Sequence, residues 1–506
     1  MSNLNSEDIV IFMKTHSTVN IQCNEQIGRE LYNYFSAFAL NYMWSPKYKA
    51  KVWDGKIRFF TFSTNELPIG LVEKLYEFAR TGNYTIKCTY ERFNNIERNE
   101  FYKFVDSLNI TDSEGQPMIP RDYQLEAAYQ AITKKILNVE ASTSSGKSLI
   151  IYIICRFMKL IKSKVLLVCP TTQLVEQMFK DFQEYGWDSE KYCHRIYSGQ
   201  RKYYDAPITI TTWQSMVSTK IKLDNPYQDF GTLIIDEAHG AGAKSITDLS
   251  KVCINADYRV GFSGTYPEST IADWYSIVGS LGPIQTFATY KMLQDNGYIS
   301  KLKIYNIILN YKSDFKKQLY NEFEKDFAGQ GDMINANPDR NQFILKMLQN
   351  LKENTMCLVT KKDKHGIPLF EFLKENLKGK MLLYVDGDVP VSEREDVRRI
   401  MAENNNVVLV ATYQSFSTGT NIKNLHNICF LAGYKKRTKT FQAIGRSLRL
   451  HKSKEYAKLF DFVDNCSFID RANNIKFINY SMDHYKERAG FYETEGWNVK
   501  SIKYQI

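Results

Sequence analysis

The stretch Ala141-Ser142-Thr143-Ser144-Ser145-Gly146-Lys147-Ser148 has the pattern of a loop that cradles the phosphates of a nucleoside triphosphate. Such a loop turns its backbone N–H groups towards the phosphates, and the helix that follows contributes its positive N-terminal end. In this pattern Lys147 reaches the β- and γ-phosphates, and Ser148 helps to hold Mg²⁺. Ala141 departs from the pattern, which has glycine at its first position. The predicted nucleotide-binding residues of the loop are Ser142, Thr143, Ser144, Ser145, Gly146, Lys147 and Ser148.

An acidic pair follows a short apolar segment further along the chain. The segment 232–235 is rich in β-branched residues and predicts a buried parallel strand, after which Asp236 and Glu237 come at once. Carboxylates at the C-terminal end of such a strand lie where open α/β sheets bind ligands. We predict that Asp236 binds Mg²⁺ and that Glu237 orients and deprotonates the attacking water. The loop and the acidic pair together indicate ATP hydrolysis.

Alternating strand and helix patterns predict an α/β protein with two parallel sheets. A helical pattern from Tyr123 to Leu137 precedes the phosphate loop, and a second set of buried strands extends from about Lys301 to Asp470. A small α+β domain is expected before the first sheet, and the C-terminal tail is expected to be helical. The predicted domains are 1–112, 113–290, 291–470 and 471–506.

The composition fits a globular protein with a polyanionic partner. The chain has 506 residues, 43% of them apolar, and a formal net charge of +10. No apolar run has the length of a membrane span, and the polar, acidic N-terminus does not resemble a signal peptide. The nine cysteines are scattered, which favours reduced thiols in a cytoplasmic protein.

Several further motifs occur in a fixed order along the chain. They are Arg121-Asp122-Tyr123-Gln124, Asp236-Glu237-Ala238-His239, Ser263-Gly264-Thr265, Gln442-Ala443-Ile444-Gly445-Arg446-Ser447-Leu448-Arg449, and an N-terminal stretch from Trp53 to Arg58. With the phosphate loop, this series resembles the superfamily 2 helicases, and more closely the UvsW-type DNA helicases of T-even-like bacteriophages. The resemblance implies two tandem RecA-like lobes with ATP in the cleft between them.

The resemblance also implies roles for individual residues, with ATP and Mg²⁺ as cofactors. Arg121, Tyr123 and Gln124 would read the adenine, and His239, Ser263 and Thr265 would couple hydrolysis to movement. The implied catalytic residues are Lys147, Asp236, Glu237, Gln442, Arg446 and Arg449. Gln442 would pair with His239 across the cleft. Arg446 and Arg449 are three residues apart, which predicts that they share one helical face.

Three hydroxyl-rich segments resemble family segments that touch the nucleic-acid backbone. Hydroxyls, amides and exposed N–H groups suit phosphate contacts that position a strand without reading its bases. The predicted contacts are Pro170, Thr171, Thr172, Thr212, Trp213, Gln214, Ser415, Thr418 and Gly419. Ordinary capping and turn chemistry by serine and threonine is the alternative explanation.

The segment from Trp44 to Arg58 interleaves basic and aromatic residues. Lys47, Lys49, Lys51 and Trp53 would then hold phosphates and stack on exposed bases. Equally, the aromatic side chains are the core of a small domain and the lysines are its solvated edge. A polar, Gly- and Pro-containing linker at 111–117 predicts that the two lobes fold and hydrolyse ATP without the first 112 residues.

The leading hypothesis is therefore an ATP-driven DNA motor that acts on branched or duplex DNA with little sequence preference, and also on RNA–DNA hybrids. An RNA helicase is one alternative. A nucleic-acid-binding or annealing protein that uses ATP only as a switch is another. A monomer in the host cytoplasm, without a membrane partner, is expected.

Overall fold

Each half of the chain forms its own parallel sheet. The computed structural model describes residues 7–197, 206–218, 226–240, 243–268, 271–417, 422 and 424–506. The first unit comprises Met1–Ser142 and Gly146–Ala288, and the second unit comprises Thr143–Ser145 and Thr289–Ile506. Each unit contains a seven-stranded sheet in which every pairing is parallel.

The first unit begins with a small α+β domain. Its elements are β1 (Ile9–Thr15), β2 (Thr18–Cys23), α1 (Glu25–Tyr34), β3 (Ser36–Phe38), α2 (Pro46–Lys49), β4 (Lys56–Arg58), β5 (Glu66–Pro68), α3 (Val72–Thr81), β6 (Ile86–Cys88) and α4 (Arg98–Asp106). Four strands form a mixed sheet in the order β5-β2-β1-β6, and β3 pairs with β4 separately. Asn24 caps α1 by accepting a hydrogen bond from the Ile27 backbone N–H at 2.8 Å.

The first lobe completes this unit. Its elements are α5 (Asp122–Lys134), β7 (Ile136–Ala141), α6 (Lys147–Leu160), β8 (Val165–Cys169), α7 (Thr172–Glu184), α8 (Ser189–Tyr192), β9 (Cys193–Ile196), β10 (Ile208–Thr212), α9 (Trp213–Ser218), β11 (Thr232–Ile235), α10 (Ala243–Val252), β12 (Tyr258–Ser263), α11 (Ala272–Leu281) and β13 (Ile284–Ala288). The strand order is β13-β7-β12-β11-β8-β10-β9.

The helix predicted from Tyr123 to Leu137 is too long. The helix ends at Lys134, Lys135 has φ +63°, and β7 begins at Ile136. The reason is tertiary, because β7 lies inside the sheet between β13 and β12 and pairs with both. The phosphate loop therefore follows a buried strand rather than a helix.

The small domain and the first lobe share one hydrophobic core. Leu71 and Leu75 of the domain belong to the same buried cluster as Tyr275 and Val278 of α11. Gly70 makes the approach possible, since a Cβ there would lie 1.8 Å from the Val278 carbonyl oxygen. This packing argues against the expectation that the lobes fold without the first 112 residues. The domain boundaries themselves remain a prediction.

The second unit repeats the architecture with a different strand order. Its elements are α12 (Tyr290–Asp295), β14 (Lys301–Asn310), α13 (Ser313–Phe323), α14 (Phe327–Asn335), α15 (Pro338–Asn350), β15 (Thr355–Val359), α16 (Ile367–Asn376), β16 (Met381–Val385), α17 (Val391–Glu403), β17 (Val407–Thr412), α18 (Tyr413–Ser417), β18 (Asn427–Phe430), α19 (Arg437–Ser447), β19 (Tyr456–Asn465), β20 (Phe468–Asp470), β21 (Ile475–Phe477), α20 (Tyr480–Thr494) and β22 (Asn498–Gln505). The strand order is β16-β17-β15-β18-β19-β14-β22. The predicted fold class, two parallel-sheet lobes after a small α+β domain, is confirmed.

The C-terminal tail is only partly helical. It contains α20, but β22 then adds an edge strand to the second sheet beside β14. Most β22 side chains are exposed, so the strand lacks the apolar run that would reveal it. Arg488 anchors α20 with a buried two-point ion pair to Asp461, at 2.9 and 2.8 Å.

No helix in the described part of the chain combines the length and the apolar character needed to cross a lipid bilayer.

Candidate active site

The phosphate loop has the backbone shape that anion binding requires. It joins β7 to α6, and both Ser144 (φ +71°) and Gly146 (φ +78°) adopt left-handed conformations. Glycine is needed at 146 because a Cβ there would lie 2.5 Å from Gln124 Nε2. Successive turns of this kind direct backbone N–H groups into one concavity at the start of a helix. The loop therefore fits a phosphate group.

One loop side chain has a structural task. Ser142 Oγ donates a hydrogen bond to the Ala288 carbonyl at 2.8 Å, which fastens the loop to the end of β13. Ser145 is also buried, whereas Thr143 and Ser144 are partly buried. Ser142 therefore has a structural role in the loop.

Lys147 lies between the loop and the acidic pair. Its Nζ donates to the Ala141 carbonyl at 3.1 Å and lies 4.0 Å from Glu237 Oε1. The ammonium group is therefore placed at the mouth of the phosphate loop and faces the carboxylates. This arrangement brings together the two motifs that the sequence places almost 100 residues apart.

Ser148 has a partner that the sequence did not reveal. Its Oγ lies 2.8 Å from the Tyr185 hydroxyl, just after α7. Burial is the main reason that the pKa of Tyr185 is raised, so the phenol stays protonated. Tyr185 thus orients the serine that was predicted to hold Mg²⁺. No local sequence pattern points to it.

The acidic pair lies directly after β11. Asp236 is buried, and burial together with the Glu237 carboxylate raises the pKa of Asp236 to about 7, while Lys147 acts in the opposite direction. Glu237 has φ +50°, a conformation uncommon outside glycine, asparagine and aspartate. Glu237 Oε2 is buried without a hydrogen-bond partner among the described residues. A buried carboxylate, and a carboxylate oxygen that makes no hydrogen bond within the described residues, fit a divalent cation and a water.

The acidic motif is joined directly to the Ser263 motif. His239 Nδ1 lies 2.7 Å from Ser263 Oγ and 3.3 Å from Glu237 Oε2. Ser263 Oγ lies 2.5 Å from the Thr265 carbonyl oxygen, and the Thr265 backbone N–H donates to Ser263 Oγ at 3.1 Å. Burial lowers the pKa of His239, so the imidazole is neutral. A continuous chain of contacts therefore links Glu237 to the end of β12.

The predicted adenine-reading residues form one cluster at the start of α5. The Arg121 backbone N–H donates to Gln124 Oε1 at 2.9 Å, and the Arg121 guanidinium donates to the Tyr123 hydroxyl at 3.1 Å. Gln124 is also the neighbour of Gly146 described above. The cluster is therefore next to the phosphate loop.

In the second unit, Gln442 and Arg446 line a cavity of about 370 Å³ at the carboxyl ends of β15, β16 and β17. The other polar lining residues include Thr360, Lys362, Asp386, Asp388, Thr412, Gln414, Tyr434 and Lys439. Lys362 lies 3.3 Å from Asp386. The cavity has the position at which parallel sheets bind ligands.

Arg446 and Arg449 do not share a helical face. Helix α19 ends at Ser447, and Arg449 follows in the turn beyond it. Lys454 stabilises this helix end, because its buried Nζ donates to the Ser447 carbonyl at 2.7 Å. Burial, with the charge of Arg449, lowers the pKa of Lys454 to about 8.

Three family models match the chain in succession. They are "DNA helicase UvsW, N-terminal" over residues 8–89, "Type III restriction enzyme, res subunit" over 117–268, and "Helicase conserved C-terminal domain" over 339–451. The ATP-dependent DNA helicase uvsW of Enterobacteria phage T4 is 29% identical over 97% of this chain and 98% of its own. The crystal structure of T4 UvsW matches with a TM-score of 0.52 and 27% identity, over 98% of this chain and 99% of its own.

The chain is a superfamily 2 helicase of the UvsW type. More distant relatives include a putative ATP-dependent RNA helicase of Acanthamoeba polyphaga mimivirus, 25% identical over 72% of this chain and 64% of its own. The DNA-bound restriction-modification enzyme LlaBIII has a TM-score of 0.54 at 15% identity, over 85% of this chain and 34% of its own, and so shares the fold.

The predicted nucleic-acid segments of this UvsW-type helicase lie at the carboxyl ends of strands. Pro170 follows β8, and Thr171 Oγ1 caps α7 by accepting from the Leu174 N–H at 3.3 Å. Thr172 is the first residue of α7. Thr171 therefore has the helix-capping role that was the alternative to a nucleic-acid contact. The backbone N–H groups that follow it belong to the first turn of α7.

The two lobes of the helicase repeat a four-residue pattern. Thr212-Trp213-Gln214-Ser215 follows β10 in the first lobe, and Thr412-Tyr413-Gln414-Ser415 follows β17 in the second. In both, the threonine Oγ1 lies 3.0 Å from the serine Oγ and accepts its backbone N–H at 3.3 Å. The glutamine is the exposed member of each.

The predicted contact residues in these two segments differ in their exposure to solvent. Trp213 is buried in the first lobe's core, and Ser415 is buried with its hydroxyl bonded to the Val385 carbonyl at 3.2 Å. Of the predicted contacts in these two segments, Gln214 is exposed. Gln414, which was not predicted as a contact, is exposed at the equivalent position of the second lobe. Thr418 and Gly419 lie outside the described residues.

The N-terminal contacts predicted for the helicase lie in and after α2. Lys47, Lys49 and Lys51 are exposed, as predicted for phosphate contacts. Trp53 is half-buried, and its indole N–H donates to the Lys56 carbonyl at 2.8 Å, so its ring supports the loop. Trp44 is the tryptophan that faces solvent.

Proposed function

We propose that this UvsW-type helicase is an ATP-driven motor that remodels branched DNA, by regressing forks, migrating junctions and displacing strands, RNA–DNA hybrids included. The observation that carries the proposal is the meeting of Lys147, Asp236 and Glu237 around the phosphate loop. A protein that used ATP only as a switch would have little need of a complete hydrolytic set.

In the proposed reaction, each residue near the loop has one task. Lys147 and the loop N–H groups hold the phosphates, and Glu237 orients the attacking water and accepts its proton. Ser148 and Asp236 hold Mg²⁺, which when bound neutralises charge on the phosphates. Arg446 and Arg449 remain predicted contacts of the transferring phosphoryl group, and Gln442 remains the predicted partner of His239. Arg121, Tyr123 and Gln124 remain predicted adenine contacts, all on the strength of the family resemblance.

One panel of measurements tests the proposal against its alternatives. ATP hydrolysis is measured alone and with duplex DNA, forked DNA or RNA, and strand displacement is measured on forks, four-way junctions and RNA–DNA hybrids. We expect forked DNA to stimulate hydrolysis and ATP to be required for displacement. Stimulation by RNA alone would favour an RNA helicase, and binding without displacement would favour an ATP-switched binding protein.

We propose that the Ser263 hydroxyl couples hydrolysis to movement through His239. Ser263→Ala removes the group 2.7 Å from His239 Nδ1, although Lys147, Asp236 and Glu237 are left in place. We expect strand displacement to fall by about tenfold, equivalent to ~1.4 kcal/mol, with a much smaller fall in the rate of ATP hydrolysis. Ser276→Ala is the matched control, because within the described residues that hydroxyl bonds its own helix alone, at the Ala272 carbonyl, 3.1 Å away. Equal losses of both activities would contradict the coupling role.

We expect DNA binding to depend steeply on salt and little on base sequence. The proposed contacts go to phosphates, so binding releases counterions; with about six such contacts, affinity would fall ~10³-fold between 50 and 200 mM salt. The measurement is a titration of fluorescent duplexes of different sequence at several salt concentrations. A flat salt response, or a strong preference for one sequence, would count against a motor that acts on any DNA.

A further inference from the structure

The loop between β3 and β4 of the small domain exposes four large apolar side chains. Leu40, Met43, Trp44 and Val52 are 68%, 58%, 73% and 79% exposed. We call residues 39–55 the apolar protrusion. Isolated exposed apolar residues are ordinary, but several on one short loop mark a surface that meets a partner.

The apolar protrusion is an ordered structure rather than a loose loop. The Ala39 backbone N–H donates to the Gly55 carbonyl at 2.8 Å, which closes its base. Inside, the Tyr42 ring lies 4.4 Å from the Phe38 ring and 4.9 Å from the Tyr48 ring, centroid to centroid. A Cβ at Gly55 would lie 2.4 Å from Tyr42. Tyr42 is therefore held by Phe38, Tyr48 and Gly55, and these contacts order the loop.

The charge on the apolar protrusion favours a polyanion as the partner. Asp54 is its only acidic residue, and Asp54 is paired with Arg58. Lys47, Lys49 and Lys51 are exposed on the same loop. Lys49 Nζ also lies 5.3 Å from the centre of the Trp44 ring, so a cation and an aromatic face are presented side by side.

These two properties together select a particular part of a DNA molecule. An intact duplex offers phosphates to lysines, but its base faces are covered by stacking and cannot receive the ring of Trp44. Base faces become accessible only where a duplex ends, opens or branches, and aromatic side chains stack on such bases. We propose that the apolar protrusion stacks on exposed bases at the branch point of forked DNA, with Trp44 as the stacking residue and the three lysines on the flanking phosphates.

This inference rests on the proposed function, but its test does not require ATP. The full-length protein binds a fluorescent fork and a dumbbell duplex, which is closed at both ends and has no exposed terminal base, and the two affinities are compared. We expect Trp44→Ala to weaken fork binding by about tenfold and to change dumbbell binding less than twofold. Trp44→Phe, which keeps an aromatic face, should stay within about threefold of the parent.

Further variants separate stacking from charge. Val52→Ala should weaken fork binding, whereas Ile469→Ala, which makes the same kind of change at a 68% exposed position of the second unit, should not. Replacing the three lysines together with alanine should weaken binding to both DNAs and make the salt dependence shallower.

Three outcomes would overturn the inference. They are fork binding by Trp44→Ala within twofold of the parent, equal losses on fork and dumbbell, and unchanged DNA binding with a loss of self-association in sedimentation. The last outcome would make the apolar protrusion a protein-binding surface. Failure of the proposed function would give a different result. The parent protein would then displace no strand in the presence of ATP, whatever the variants show in DNA binding.

Discussion

Replacement of Lys147 by alanine is expected to lower ATP turnover by about 10²–10³-fold, the loss typical of removing one charged group that stabilises a transition state. The reason is the position of the ammonium group, which donates to the Ala141 carbonyl at 3.1 Å and faces Glu237 at 4.0 Å. The variant should still fold, since Lys147 is the first residue of α6 and is not part of a hydrophobic core. Steady-state ATP hydrolysis with and without forked DNA, beside a thermal melt, measures both effects.

Lys159→Ala is the matched control for this variant. Lys159 lies on the same helix, α6, and its Nζ is 4.2 Å from the centre of the Tyr192 ring. Its loss removes one lysine and one modest cation–π contact, and turnover should stay near the parent's. Lys147→Ala that hydrolyses ATP within a few-fold of the parent would refute the assignment of this loop as the phosphate site.

Glu237→Gln should keep ATP binding and lower hydrolysis by about 10²–10⁴-fold, the usual contribution of a general base. The substitution preserves shape but leaves an amide that cannot accept the proton of the attacking water. In the parent, Glu237 Oε2 is buried and makes no hydrogen bond within the described residues, although His239 Nδ1 lies 3.3 Å away, so the oxygen retains lone pairs for a water. Nucleotide affinity and single-turnover hydrolysis, measured on the same preparation, separate the two effects.

Glu184→Gln serves as the control for Glu237→Gln. Glu184 ends α7, and its carboxylate forms an i,i+4 surface pair with Lys180 at 3.9 Å, a contact of small energetic value. Its loss should alter neither binding nor hydrolysis. If Glu237→Gln instead lost ATP binding as well as turnover, Glu237 would have a structural role in holding the left-handed turn after β11.

The sequence predicted the strands and motifs that form short, strongly apolar or motif-defined segments. Thr232–Ile235 with Asp236 and Glu237 is an example, because the buried strand and the carboxylates after it are contiguous. Strand β7 differs from the prediction of a helical end, because its position inside the sheet, not its local pattern, makes it a strand. Strand β22 was missed because an exposed edge strand is held mainly by backbone pairing.

Within the site, long-range partners were the part that sequence reasoning could not reach. Tyr185 is 37 residues from Ser148 in the sequence. Lys454, which lies beyond the turn after α19, donates a hydrogen bond to the Ser447 carbonyl at the helix end. The Thr-aromatic-Gln-Ser repeat after β10 and β17 was visible, however, as a recurrence of residue types 200 positions apart. A search for internal similarity would have identified Gln214 and Gln414 as equivalent.

The core that joins the small domain to α11 has a consequence for how such helicases diversify. If the small domain were joined at the 111–117 linker to the lobes of another helicase, Leu71 and Leu75 would pack against a different α11. If another domain were joined to these lobes, any side chain at the position of Gly70 would meet the Val278 backbone. The smallest segment that retains this whole hydrophobic core includes α11 and ends near residue 288, where the first unit ends. If the apolar protrusion selects forked DNA as proposed, substitutions within residues 39–55 would alter that preference without disturbing the core shared with α11.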